Sequence, residues 1–158
     1  MGSEFAHRAD RFAAGLGRGL VAGAAGTAAI TLSAVIEMKL RGREASTVPQ
    51  EVAAKVLGLE PKSERAAKAL GTVAHIANGL ALGPVRPVLG AAGLNEPAAS
   101  AALFGVAWLP ELVLVPAAGA SEPPWKWGVG ELAISAVHHI AYTAAASGTW
   151  AALEQADA

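Results

Sequence analysis

Four long segments with almost no charged side chains constrain this chain more than any other feature of its sequence. Apart from Glu111 they contain no Asp, Glu, Lys or Arg, and they cover residues 19–36, 69–85, 98–119 and 132–153. About 20 apolar residues in a helix are enough to cross the hydrocarbon core of a bilayer. The pattern predicts an all-α polytopic membrane protein with four transmembrane helices in an antiparallel bundle. The expected spans are about residues 19–40, 66–86, 98–119 and 128–150.

Composition favours the same fold class. Charged residues make up 16% of the 158-residue chain and the mean hydropathy is +0.40, whereas about a quarter of a soluble domain is charged. A soluble helical bundle is the alternative, but it needs polar outer faces that the fourth segment lacks. The net charge of −1 gives no reason to expect a nucleic-acid partner. The absence of cysteine excludes disulfides and thiol chemistry.

The four segments are expected to form one domain over residues 6–158. Residues 1–5 are left out of it, because MGSEF is typical of a cloning remnant. Pro49 is suited to open a short helix that ends near Gly58. This helix either lies on the membrane surface as an interfacial helix or is a solvated connector. Ser63 and Asn95 are expected to cap the second and third spanning helices, and Arg86 is expected to reach water from a helix end.

Basic residues are distributed unevenly between the two sides of the predicted membrane. Residues 39–68 contain seven Lys and Arg, and Lys126 makes eight on that side, against four on the other. The excess of positive charge predicts that both of these loops are cytoplasmic and that both termini lie outside.

Ionisable side chains within or beside the spans define the candidate site. On a helix, Glu131, Ser135, His138 and Tyr142 share one polar stripe. At a rise of 1.5 Å per residue, five groups fall in the half of the membrane nearer the 39–68 loop, and we predict that they converge on one cavity. They are Glu37, His75, Glu111, Glu131 and His138.

Three interpretations of this cluster remain open. It is a metal site for zinc, iron or manganese, for which histidine and carboxylate are suitable ligands. Alternatively it is a proton or ion pathway, or a set of hydrogen bonds that only holds the helices together. His75 and His138 are the expected nitrogen ligands and Glu111 the carboxylate between them, with Glu37 and Glu131 at the entrance. His139 points about 100° away from His138 and is expected to face another surface, such as a second protomer.

Glycines at four-residue spacing in the first span, at Gly15, Gly19 and Gly23, allow close approach of another helix in lipid. That helix belongs either to the same chain or to a second copy, and we expect a homo-oligomer. No nucleophile triad, phosphate loop or paired-cysteine motif indicates a named enzyme class. A membrane-embedded metalloenzyme acting on a lipid-like or quinone-like substrate, or a structural subunit without chemistry, is therefore the alternative to an ion- or proton-binding protein.

The first half of the chain resembles small bacterial inner-membrane proteins of the YagU type. The resemblance lies in the glycine-rich first span that ends in Glu37, in Ser46 and Pro49, and in His75 followed by Gly79 and Gly83. It implies a multi-pass helical protein of the bacterial inner (plasma) membrane, with the lipid bilayer as its surroundings. It implies no catalytic residue.

Overall fold

A computed structural model describes the backbone of residues 2–156 and the side chains of residues 13–156. The described chain is all-helical and contains no strand, which confirms the predicted all-α class. Its helices are α1 (Gly2–Arg41), α2 (Val48–Leu57), α3 (Glu64–Leu82), α4 (Val85–Ala91), α5 (Glu96–Ala117) and α6 (Val129–Ala156), with a 3-10 turn at Pro124–Lys126.

The helix ends follow local sequence signals. The hydroxyl of Ser63 accepts a hydrogen bond from the amide of Ala66, and the Asn95 side chain accepts one from Ala98, so both predicted caps are confirmed. Gly58 ends α2 with φ +64°, a left-handed conformation in which glycine carries no steric cost. The short helix predicted in the first loop is thus present, and it packs mainly against α3.

Two boundaries differ from the sequence prediction. The first helix begins at Gly2, well before the start of the predicted span at residue 19. The second long helix ends at Leu82 and does not continue to residue 86. A turn at Gly83 and Pro84 separates it from α4, because Pro84 and Pro87 lack the amide protons that a continuous helix needs.

The first helix occupies the centre of the fold, with its most extensive contacts to α6 and further contacts to α3. Glycines make the α1–α3 contact. A Cβ atom on Gly19 would lie 2.8 Å from Pro84 Cα, and one on Gly23 would lie 2.8 Å from the carbonyl oxygen of Gly79. Backbones therefore touch where side chains would clash. The predicted close-contact row thus meets the same chain, with Gly23 against α3 and Gly19 against the turn at Gly83 and Pro84.

A compact cluster lies at the same level as this glycine contact. Its buried members come from α1, α5 and α6, and they are Ala22, Leu103, Ala107, Tyr142, Ala146 and Trp150. The Tyr142 ring rests on Gly26, and its hydroxyl donates to the Gly79 carbonyl at 2.7 Å. We call this part of the long helices, with the glycine contact, the packed half.

Two helices are long and apolar enough to cross a membrane by length and composition, namely α1 over Ala13–Arg41 and α5. Fewer than a third of the residues in either apolar stretch are buried. The helices α3 and α6 are not among them. Arg65 and Lys68 lower the mean hydropathy of α3, and the two histidines and several hydroxyl side chains lower that of α6. Two of the four predicted spans are therefore long and apolar enough to cross a membrane.

Candidate functional site

Two hydroxyl side chains on α1 each hold one histidine from a neighbouring helix. Thr31 Oγ1 lies 3.0 Å from His75 Nε2 on α3, and Ser33 Oγ lies 2.8 Å from His138 Nδ1 on α6. The Thr31 hydroxyl also donates to its own helix at the Thr27 carbonyl, 2.7 Å away. A hydroxyl has a single proton, so Thr31 donates either to the Thr27 carbonyl, and then accepts from His75 Nε2, or to His75 Nε2 itself.

Glu111 on α5 is reached by a second hydrogen-bonded chain. The Trp108 indole N–H donates to Ser135 Oγ at 2.9 Å, and Ser135 Oγ lies 3.1 Å from Glu111 Oε1. Indole nitrogen is only a donor, so the serine accepts from Trp108 and donates its own proton to Glu111. The first carboxylate oxygen of Glu111 is thus fixed as an acceptor.

The second oxygen of Glu111 faces His139 of α6. His139 Nδ1 lies 2.9 Å from the carbonyl oxygen of Ser135, and Nε2 lies 3.3 Å from Glu111 Oε2. A carbonyl only accepts, so Nδ1 carries a proton. These contacts do not fix which of the two facing atoms, His139 Nε2 or Glu111 Oε2, carries a proton. Neither side chain is fully enclosed, with 14% of His139 and 31% of Glu111 exposed.

This pairing corrects the expectation for His139. The residue does face another surface than His138, but that surface is α5 of the same chain and not a second protomer. The reason is that α6 lies between α1 and α5, so adjacent histidines about 100° apart each meet a different neighbour. The sequence contains a signal for it, because Ser135 and His139 are four residues apart and so share a helix face.

The two outer carboxylates of the predicted cluster are paired with arginines. Arg43 Nε donates to both oxygens of Glu37, at 2.7 and 2.8 Å, and Arg41 bridges Glu37 to Glu131 across α1 and α6. Hydrogen bonding to Glu37 and its negative charge raise the pKa of Arg43 above its usual value, so its guanidinium stays charged. These contacts place Glu37 and Glu131 together at the loop end, as an ionic cluster.

The five residues of the predicted cluster converge only in part. His138 lies within electrostatic range of Glu37 and Glu111, and His75 within range of His139. Among the side chains of residues 13–156, however, no three His, Asp or Glu residues lie close enough to hold a metal ion. The metal site for zinc, iron or manganese stays a prediction. We call Thr31, His75, Glu111, His138 and His139, with their partners, the polar half.

One charged residue lies far from this site, in the packed half. Arg86 was expected to reach water, but its side chain is buried, with 1% exposure. It forms an ion pair with Glu96 and stacks over the Trp150 ring at 5.7 Å. The turn at Gly83 and Pro84 causes the difference, because it places Arg86 on α4 rather than at the end of a continuous helix.

Comparison of the chain with protein-family models, curated proteins and solved structures finds no match. The resemblance to YagU-type proteins stays a prediction. The case for a function therefore depends on the residues of the polar half.

Proposed function

We propose that this chain is a multi-pass protein of a bacterial inner membrane, with α1, α3, α5 and α6 as its four spans. The support is the outer surface of these helices, where large apolar side chains are exposed. They include Leu20, Leu32, Ile36, Val73, Ile76, Val106, Leu109, Val113, Val137 and Ile140. A core helix of a soluble protein buries such residues, whereas a bilayer accepts them.

The function that the geometry supports best is the binding and exchange of a proton. The observation that carries it is the open proton position between Glu111 and His139, where every neighbouring hydrogen bond has a fixed direction. With one shared proton the pair has no net charge, which is the arrangement that costs least inside a membrane. The pair therefore holds a proton in an apolar setting and has a partner to pass it to.

The neighbouring residue His138 provides the exchange route. His138 Nε2 is buried and has no hydrogen-bond partner in the described part of the chain. It lies within electrostatic range of both Glu111 and Glu37, and Glu37 belongs to the ionic cluster at the loop end. We infer that His138 is the group through which a proton passes between the loop-side solution and the Glu111–His139 pair. The packed half offers no comparable series of titratable groups within residues 13–156.

Glu111→Gln tests this function. Glutamine keeps an oxygen to accept from Ser135 but cannot exchange a proton, so a pH-dependent carboxyl band in the infrared difference spectrum should disappear. Glu122→Gln is the matched control, because Glu122 is 66% exposed in a loop, and it should keep the band. An unchanged spectrum for Glu111→Gln would mean that this pair is not the proton site. Elemental analysis of purified protein tests the alternative, since stoichiometric metal lost in Glu111→Gln would indicate a metal site.

Membrane embedding has its own test. The chain contains no cysteine, so Ser46→Cys and Ala156→Cys each introduce a single thiol. An impermeant thiol reagent added to intact cells should label Ala156→Cys and not Ser46→Cys, because the basic loop is expected on the inside. Labelling of Ser46→Cys alone would reverse the orientation, and labelling of both would contradict four spans.

A further inference from the structure

The most exposed large apolar side chains among residues 13–156 lie around the loop end of the bundle. Leu40, Trp125 and Val129 are between 82 and 86% exposed, more than any other large apolar side chain in that range. Val56 and Leu57, at the end of α2, are exposed as well. We call these five side chains the collar. Single exposed apolar residues need no explanation, but a set of them at one end of a molecule indicates a surface with a partner.

The members of the collar lie at one level although they come from different elements. Arg41 at the end of α1 bonds to Glu131 near the start of α6. Leu40 and Val129 lie beside these two residues and therefore at the same end. Trp125 precedes Val129 in the turn between α5 and α6. The start of α3 is also at this end, because α1 and α3 are antiparallel.

The short helix α2 brings the collar to the α3 side of the bundle. A Cβ atom on Gly71 of α3 would lie 2.9 Å from the Cβ of Gln50, near the start of α2. The last residue of α2, Leu57, is followed by a turn to Ser63, which caps the start of α3. The helix therefore runs back along about two turns of α3 to the loop end. With α2 included, the collar involves all four long helices, so a partner that surrounds the bundle fits it better than one that docks on a single side.

The charged side chains beside the collar nearly cancel. Four exposed cations there form no ion pair with a described residue, and neither do three exposed carboxylates. They are Lys39, Lys55, Lys62 and Arg65, and Glu44, Glu51 and Glu60. A surface of mixed sign is poorly matched to an acidic protein or a polynucleotide. It is complementary to zwitterionic phospholipid headgroups, which present both a phosphate and an ammonium group.

We propose that the collar lies in the headgroup layer of a zwitterionic phospholipid bilayer, with its apolar side chains below the lipid phosphates and its charged neighbours among the headgroups. The inference rests on the membrane embedding proposed above and adds the level at which the bilayer surface meets the protein. It makes α2 an interfacial helix. Ser33, which holds His138, lies seven residues before Leu40, so the polar half begins about 10 Å below the collar.

Nitroxide labels on single cysteines test the proposal, because the chain has no cysteine of its own. Leu40→Cys, Val56→Cys and Val129→Cys are each labelled and reconstituted in phosphatidylcholine vesicles. Collision rates with oxygen, which dissolves in lipid, and with a nickel chelate, which stays in water, give the depth of each label. All three labels should lie about 5–10 Å below the lipid phosphates. Labels that collide mainly with the chelate, or with neither reagent because a second copy covers them, would overturn the proposal.

Two further labels separate this inference from the proposed function. Leu32→Cys is exposed on α1, eight residues before Leu40, and its label should lie about 12 Å deeper. Glu60→Cys, between α2 and α3, should stay in water. If the Leu32→Cys label is in lipid and the collar labels are in water, only this inference fails. If the Leu32→Cys label is also in water, the membrane embedding fails with it. Collar labels in lipid without a carboxyl band from Glu111 would contradict the proton site alone.

The lipid composition tests the class of headgroup. Because the charges beside the collar nearly cancel, vesicles with equal parts of phosphatidylcholine and phosphatidylglycerol should give the same depth for all three collar labels. Collar labels that enter lipid only in the anionic vesicles would show that an anionic surface is required, and would overturn the zwitterionic assignment.

Discussion

In the packed half and in the polar half, the long helices are held together by different kinds of contact. In the packed half, helices approach closely through Gly19, Gly23, Gly79 and Gly83, and most of the buried side chains among residues 13–156 lie there. In the polar half, the helices are joined by hydrogen bonds between side chains, and few residues are fully buried. Packing holds one half together, and directional polar contacts hold the other.

This difference indicates where change is tolerated. Backbone contacts between glycines leave no room for adjustment, since even a methyl group would meet main-chain atoms. Hydrogen bonds between histidines, hydroxyls and a carboxylate can gain or lose a proton and remain in place.

The largest effect is expected at the buried charge of the packed half. Among the described residues, Glu96 is the only carboxylate that pairs with Arg86, so Glu96→Gln leaves a buried guanidinium whose Nε already lacks a partner. Glu96 itself is 56% exposed, and water can replace part of the lost contact. The cost in unfolding free energy should therefore be about 3 kcal/mol, the low end of the range for a broken buried ion pair. Thermal unfolding in detergent, followed by circular dichroism, measures it.

The control for that prediction is the double variant Arg86→Met with Glu96→Gln. It replaces the pair by apolar and neutral groups, and it should recover most of the lost stability. If Glu96→Gln is as stable as the wild type, Arg86 does not depend on this carboxylate, and the contrast between the halves is weaker than described.

A smaller but still large effect is expected at the glycine contact. A side chain on Gly23 would meet the Gly79 carbonyl oxygen, which belongs to the backbone and cannot rotate away. Gly23→Leu should therefore cost about 1–3 kcal/mol, as overpacking does. Gly17→Leu is the matched control, since no atom lies within 4 Å of a Cβ there. Similar unfolding curves for both variants would show that the contact is not tight.

The control variant Gly17→Leu also tests whether a second copy packs against α1. The homo-oligomer remains a prediction, but the Gly19 and Gly23 face is occupied by α3 and the turn that follows it. Light scattering should therefore give the same mass for folded Gly17→Leu and wild-type protein. A lower mass for Gly17→Leu would point to a second copy on the neighbouring face of α1.

Much of the helical architecture was predictable from local signals. Ser63 and Asn95 cap where expected, and α2 occupies the predicted loop, because capping and helix stops depend on a few adjacent residues. The stripe predicted on α6 divides in the structure, because Ser135 bonds to Glu111 of α5 whereas His138 bonds to Ser33 of α1. Predictions that depend on one helix alone were therefore the most accurate.

Contacts between helices were less predictable, because sequence does not state which faces meet. His139 pairs with Glu111 since α5 lies beside α6, and Arg86 is buried since the chain turns at Gly83 and Pro84. The prediction that all five residues converge assumed that the helices share one cavity. In the structure, Glu37 and Glu131 pair with arginines instead, because Arg41 and Arg43 follow closely on α1 and the loop after it.

The smallest effect is expected at a single hydrogen bond of the polar half. Trp108→Phe keeps the ring packing beside Phe104 but removes the N–H that donates to Ser135. The cost should be about 0.5–1.5 kcal/mol, that of one net hydrogen bond. Ser135 is then free to rotate its proton away from Glu111, so the carboxyl band of Glu111 should shift in frequency without disappearing. Trp125→Phe is the control, because Trp125 is 83% exposed, and it should change neither stability nor the band. An unshifted band in Trp108→Phe would mean that Ser135 does not relay the indole contact to Glu111, and that the direction of the proton chain is set elsewhere.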